Sequence, residues 1–225
     1  MIKPESRKPS GLLPELLVAL NQLQDDYQFI LVPTSATRRY RDLESGRFDL
    51  ILFESPDWGW EDTAHTALDL QIDDAEVYVA RAEPGRDEAY FDQLKGKRLA
   101  LYNGYHYGFA GFNADQRFLS QEFAAVLTYS HDSNLIMLLR GRADIAVITR
   151  SYLQIYQDRH PEQSSALLVS QRVDQVYRHH ALFRPQASLG PETLAAFLRV
   201  LNEQGRLDEL LGRYHLTVPS RLSND

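Results

Sequence analysis

Apolar residues first fall into a strong pattern over residues 10–23, where Leu12, Leu13, Leu16, Leu17, Leu20 and Leu23 recur at helical spacing. Leucines three and four apart share one helix face, Ser10 offers a capping hydroxyl, and Pro14 and Glu15 are tolerated in a first turn. The stretch therefore predicts an amphipathic helix. Residues 27–32 (YQFILV), closed by Pro33, read as a buried strand, residues 35–45 as a charged helix stopped by Gly46, and residues 48–53 (FDLILF) as a second core strand. A loop with two tryptophans follows over residues 54–62 (ESPDWGWED), then an alternating strand over residues 75–81 (AEVYVAR) and turn chemistry over residues 82–87 (AEPGRD).

The pattern then restarts. Residues 98–102 read as a strand, 103–111 (NGYHYGFAG) as a glycine-aromatic loop, 114–123 as a helix, 125–129 as a strand, 132–140 as a helix ending at Gly141, and 144–148 as a strand. Residues 167–170 and 176–183 (VYRHHALF) add strands, and the chain closes on helices 191–204, with a proline at its first position, and 207–214. Strands alternating with helices imply an α/β fold with mostly parallel sheets flanked by helices.

Within this order lies an internal echo. Residues 45–53 (SGRFDLILF) and 140–148 (RGRADIAVI) share Gly-Arg-x-Asp followed by apolar strand residues, each behind a helix that ends on glycine. The copies lie about 95 residues apart, beyond the roughly 20–50-residue periods of solenoids. They predict two similar lobes. If residues 75–81 lead out and 176–183 lead back, lobe one holds residues 1–80 and 181–225, and lobe two, residues 81–180, is inserted through two crossing strands. That is a hinge architecture, and ligands favour such interfaces.

Composition narrows the function. The chain has 225 residues with 24 Lys+Arg and 31 Asp+Glu, a formal charge of −7. Its field repels phosphate backbones and anionic headgroups, so nucleic acid is not an expected partner. The absence of cysteine removes disulfides, thiolate nucleophiles and Cys-based metal sites. Of seven histidines, His179 and His180 are adjacent in a predicted strand and face opposite sides, and the others show no H-x-H or H-x-x-x-H spacing. No metal or other cofactor is expected, and no nucleophile elbow, phosphate loop or dinucleotide fingerprint follows a strand.

The residues 8–23 (KPSGLLPELLVALNQL), 43–49 (LESGRFD), 94–101 (LKGKRLAL), 141–148 (GRADIAVI) and 205–216 (GRLDELLGRYHL) together resemble the bacterial extracellular solute-binding proteins of family 3. These are type II periplasmic binding proteins that include the amino-acid receptors of ABC importers. The resemblance implies a two-lobed type II fold, a small polar organic ligand between lobes that close on it, an ABC permease of the inner membrane as partner, a periplasmic monomer, and no catalytic residues. Chains of that family open with a strand ahead of the motif at Gly11. Only ten residues precede Gly11 here and none forms an apolar strand, so an apolar leader and first strand are expected upstream of Met1 in the gene, and an in-frame stop there would reject them.

The same resemblance supplies candidate ligand-binding residues. Glu54, Ser55, Trp58 and Trp60 fall in the first loop, where ring faces and a carboxylate suit a ring or a cation, or else simply pack the lobe surface. Tyr102, Asn103, Tyr105, His106 and Tyr107 fall at a strand-to-helix turn whose backbone N–H groups, with Gly104 and Gly108 allowing close approach, are expected to bind an anionic ligand group. Thr149 matches the family's acidic residue for a ligand ammonium, and the family's arginine clamp has no counterpart in residues 54–62. Arg150 either takes over that clamp or is a solvated first-turn residue. Arg38, Arg39 and Arg41 read as a solvated helix face beside Asp42 and Glu44. The function these readings imply is capture of an amino-acid-like molecule or amine by lobe closure. The alternatives are an enzyme resembling cyclohexadienyl dehydratases, with Glu54 and His106 as acid–base groups, and a ligand-sensing domain.

Overall fold

The computed structural model describes residues 10–217; the reading that residues 1–9 hold no strand lies outside them. The helices are α1 (Leu12–Leu23), α2 (Arg39–Glu44), α3 (Gln116–Phe123), α4 (His131–Leu139), α5 (Arg150–Arg159), α6 (Pro161–Ser164), α7 (Pro191–Glu203) and α8 (Arg206–Gly212). The strands are β1 (Leu50–Glu54), β2 (Thr66–Arg81), β3 (Leu99–Tyr102), β4 (Val126–Thr128), β5 (Ile145–Thr149) and β6 (Leu167–Phe183). They form one six-stranded sheet in the order β1-β6-β2-β5-β3-β4. The β5-β3-β4 part is parallel, whereas β1, β6, β2 and β5 pair antiparallel.

The molecule is a two-lobed α/β structure strung on β2 and β6. These strands of 16 and 17 residues pair from Thr66 opposite Phe183 to Arg81 opposite Leu167. At the β1 end, Leu70, Ile72, Ala181 and Phe183 from the long strands meet Leu16 and Leu20 of α1, Leu194 and Leu201 of α7, and Leu207, Leu210 and Leu211 of α8. At the other end the strands are buried on both faces, and the period of two sorts the side chains. Val77, Val79, Ala146 and Ile148 face Leu135, Leu138 and Leu153, while Tyr78, Ala80, Ile145 and Val147 face Phe91, Tyr107 and Leu119.

Several expected elements change. Residues 27–32 form no strand. The Asn21 side chain takes both the N–H and the C=O of Phe29, at 2.7 and 2.9 Å, and Gln24 does the same for Tyr27. With the Tyr27 and Phe29 backbone groups satisfied by Asn21 of α1 and by Gln24 just after it, no ladder is needed at those two residues. The helix expected over residues 35–45 is only α2, entered through a turn on the Ser35 carbonyl. Gly11, not Ser10, is the N-cap of α1, and no side chain caps it. The two strands expected over residues 167–170 and 176–183 are one, β6, and residues 75–81 are the inner half of the longer β2, with residues 75–80 all buried rather than alternating.

The Gly-Arg-x-Asp echo is a structural repeat. Gly46 and Gly141 end α2 and α4 at φ 72° and 67°, where a Cβ would be strained. The next N–H, of Arg47 and of Arg142, returns to a carbonyl five residues back at 2.9 and 2.8 Å. The aspartates do the same work too, Asp49 pairing with Arg184 at 2.7 Å and Asp144 with Arg98 at 2.8 Å.

Candidate functional site

The polar and aromatic candidates gather where β2 and β6 pass between the lobes. From the β1 side, the register breaks between Ile51 and Glu54, with Phe53 at φ 63°, and Glu54 turns inward to 8% exposure. Its carboxylate is already engaged. Arg39 Nε lies 3.1 Å from Oε1 as an ion pair without hydrogen-bond alignment, and Trp60 Nε1 donates to Oε2 at 3.0 Å. Burial raises the Glu54 pKa and the Arg39 charge lowers it, with burial the larger effect. Trp60 is fully buried against Leu43 and Leu182, and the Arg39 guanidinium lies over Tyr40 at 4.6 Å. Arg39, expected in solvent with Arg38 and Arg41, is thus buried at 6% exposure because Glu54 offers it a partner.

Trp58 takes the other direction. Its indole N–H donates to Gln175 Oε1 at 3.3 Å and its ring meets Tyr177 edge-on at 4.7 Å. Its carbonyl accepts the Tyr40 hydroxyl at 2.6 Å. Ser55 is buried, with Oγ 3.4 Å from the Asp57 N–H.

From the other lobe, β3 delivers Tyr102 into the loop of residues 103–107. Asn103 is buried, its N–H donating to the Thr128 carbonyl at 2.7 Å and its Oδ1 accepting from Gln116 at 2.7 Å. Tyr102 and Tyr105 stack at 4.5 Å. Tyr107 points fully inward, its hydroxyl accepting the Tyr102 N–H at 2.8 Å. His106 spans the cleft, with Nε2 2.9 Å from the Tyr40 hydroxyl, Nδ1 2.8 Å from the Phe112 carbonyl, and its own carbonyl accepting from Gln175.

The backbone N–H groups expected to bind an anionic ligand are partly spoken for. Those of Gly108 and Phe109 donate to Asp174 of β6 at 2.7 and 2.8 Å, and the Tyr78 hydroxyl adds a third bond at 2.7 Å. Only glycine permits this approach, because a Cβ at residue 108 would stand 2.6 Å from the Asp174 carbonyl. The chain's own carboxylate sits where a ligand's was expected.

At the floor, Thr149 ends β5 directly opposite Glu76 of β2. Its hydroxyl donates to Glu76 Oε1 at 2.9 Å and lies 3.1 Å from His131 Nε2; with its single proton committed, the imidazole Nε2–H is the donor there. The Tyr177 hydroxyl also donates to Glu76 Oε1, at 3.1 Å. Glu76 is 1% exposed, and burial, aided by the charges of Asp74 and Asp174 against its two hydroxyl bonds, pushes its pKa up to about 8. Burial likewise pulls His131 down to about 4. Arg150, the first residue of α5, is exposed.

Of the candidates, Trp58, Tyr102, Tyr105, His106 and Thr149 converge on this crossing. Glu54, Trp60, Asn103 and Tyr107 are inward supports, and Arg150 stands outside. Sequence reading passed over Tyr40, Glu76, His131, Asp174, Gln175 and Tyr177. Glu76 did carry a signal, a lone acid inside an apolar strand, and so did the polar break before Val176.

No family model matches the sequence, and neither does any curated protein. Solved structures do match in fold. The substrate binding protein of an amino acid ABC transporter superposes with a TM-score of 0.69 at 14% identity, covering 95% of this chain and 91% of that one. A histidine kinase sensor domain with similarity to periplasmic binding proteins gives 0.70 at 19% identity, covering 94% and 89%. An ancestral amino acid-binding protein, a precursor of cyclohexadienyl dehydratase, gives 0.68 at 15%, covering 91% and 84%. The chain therefore has the type II periplasmic binding protein fold. Among the described residues no helix is long and apolar enough to cross a membrane.

Proposed function

We propose that this chain is a solute receptor that captures a small polar organic molecule in the interlobe cleft and serves an ABC importer from the periplasm. Lobe one is residues 1–80 and 181–225, and lobe two residues 81–180. The observation that carries the reading is the approach, at the β2–β6 crossing, of Trp58 from one side and His106 from the other, both bonded to Gln175, beside Thr149 and the buried Glu76. A ligand that touches both groups only when the lobes are shut binds the closed form better, and that difference moves the open–closed equilibrium. No covalent step is required. Thermal-shift and calorimetric screening across amino acids, amines and aromatic acids tests the reading; a folded sample that binds none of them rejects it.

A sensing domain is the second reading, favoured by direct protein contacts across the cleft. Tyr40 bonds His106, Gln175 bonds both Trp58 and His106, and Gly104 packs so closely on Ala36 that a Cβ there would stand 2.8 Å away. Such a domain holds a protein partner with unchanged affinity whether or not solutes are present, and co-purification in the two conditions separates the readings.

A further inference from the structure

Glu76, Asp74 and Asp174 form a cluster of carboxyl groups at the strand crossing, and among the described residues no lysine or arginine forms an ion pair with any of them. Two of the three are satisfied by neutral donors. Asp74 accepts from Ser151 and the Ala75 N–H, and Asp174 from Gly108, Phe109 and Tyr78. Glu76 differs: Oε1 takes two hydroxyls, but Oε2 is buried with no hydrogen-bond partner at all. His131 Nδ1, the other end of the Glu76–Thr149–His131 chain, is buried and unpartnered too. A buried polar group without a hydrogen-bond partner costs about 1–3 kcal/mol, a burden the fold retains at the centre of its cleft whether Oε2 carries the proton or not.

We infer that Glu76 Oε2 is the acceptor for a ligand ammonium group, so that the solute taken at this site is a cationic amine. The inference rests on the solute-receptor reading above. An ammonium supplies what the cluster lacks, a positive charge with several N–H donors. Aromatic rings stand next to the carboxylate, since the Tyr177 hydroxyl bonds Glu76 and the Tyr177 ring meets Trp58 edge-on at 4.7 Å, and a ring face exposed when the lobes part would add to the attraction for a cation. Oε2 is covered in the closed form, so the amine enters when the lobes part and is enclosed when they shut. Because Glu76 holds a proton at neutral pH with its pKa near 8, an arriving ammonium displaces that proton into solvent.

Calorimetry tests this with putrescine, L-lysine and L-arginine as cations, and glycerol, glucose and succinate as solutes without an amine. At least one cation is expected to bind the wild-type protein, and Glu76→Gln is expected to weaken it about ten- to hundredfold, the size of one hydrogen bond to a charged group. Titrations at pH 7 in phosphate and in Tris are expected to reveal proton release on cation binding, lost in the variant. If Glu76→Gln does not fold, the proton release of the wild-type protein decides alone. Unchanged cation affinity in a folded variant, or binding confined to the amine-free solutes, overturns the inference while leaving the receptor reading intact. Binding of neither set overturns both.

Discussion

His106 Nε2 and the Tyr40 hydroxyl lie 2.9 Å apart and join the two sides of the cleft. Counting protons shows what this contact demands. The single Tyr40 proton goes to the Trp58 carbonyl at 2.6 Å, and His106 Nδ1 faces the Phe112 carbonyl at 2.8 Å. A neutral ring carries one N–H and serves only one of these two oxygens, whereas the imidazolium would serve both. Burial opposes that charge, however, and holds the His106 pKa below its usual 6.5; Phe112 raises it, nearby Arg39 lowers it further and Glu61 raises it weakly. The pair is a compromise between geometry and desolvation.

The sign of the resulting pH dependence follows from linkage. A histidine whose pKa is lower in the closed form than in water binds its proton less well when shut, so the closed form is favoured at higher pH and loses ground as pH falls through the usual range near 6.5. Small-angle scattering is expected to report a larger radius of gyration at pH 5 than at pH 8. His131 and His179 are also held low by burial, so His106→Gln isolates the share of this residue: the variant is expected to open less on acidification.

Glu76 predicts the opposite slope in stability. Its pKa is raised from 4.5 to about 8, so the native state retains a proton that the unfolded chain gives up. Its stabilising share is complete below about pH 4.5 and is lost as pH rises through 8. At about 1.4 kcal/mol per pKa unit the effect is on the order of a few kcal/mol. Glu76→Gln is expected to flatten the decline in melting temperature between pH 6 and pH 9, relative to the wild-type protein.

Arg39 and Glu54 are buried together, so losing one leaves the other charge stranded. Arg39→Ala is expected to lower unfolding free energy by about 3–5 kcal/mol, and the double change Arg39→Met with Glu54→Leu by much less. Urea titration distinguishes them; equal losses would mean that the pair contributes packing alone.

Gly104, at φ 81°, would place a Cβ 2.8 Å from the Ala36 Cβ across the cleft. Gly104→Ala is expected to cost about 1–2 kcal/mol from backbone strain plus a clash felt only when shut. Adding Ala36→Gly is expected to recover the clash part and leave the strain, which scattering and thermal melts together resolve.

The fold was legible because its signals are local. The glycine that ends a helix, the apolar run after Gly-Arg-x-Asp, and the leucine face of α1 each act within a few residues, and they pointed to the two-lobed α/β fold. Residues 27–32 misled because a β-like pattern describes burial without naming its hydrogen-bond partner, and here Asn21 and Gln24 took that role. The geometry of the candidate site was legible in part. Trp58, His106 and Thr149 were found through their neighbours in the chain, whereas Tyr40, Asp174 and Gln175 reach the cleft by contacts spanning 65 to 117 residues. Arg39 read as a surface residue since nothing beside it in sequence reveals Glu54.

The long ribbon of β2 and β6 ties the fates of the lobes. Leu70, Ile72, Ala181 and Phe183 anchor one core, and Val77, Val79 and Leu167 of the same two strands anchor another. Melting either core therefore frays the backbone that organises its companion. Heat should meet one cooperative unit, and the pair of lobes can bend about the ribbon but cannot come apart one at a time.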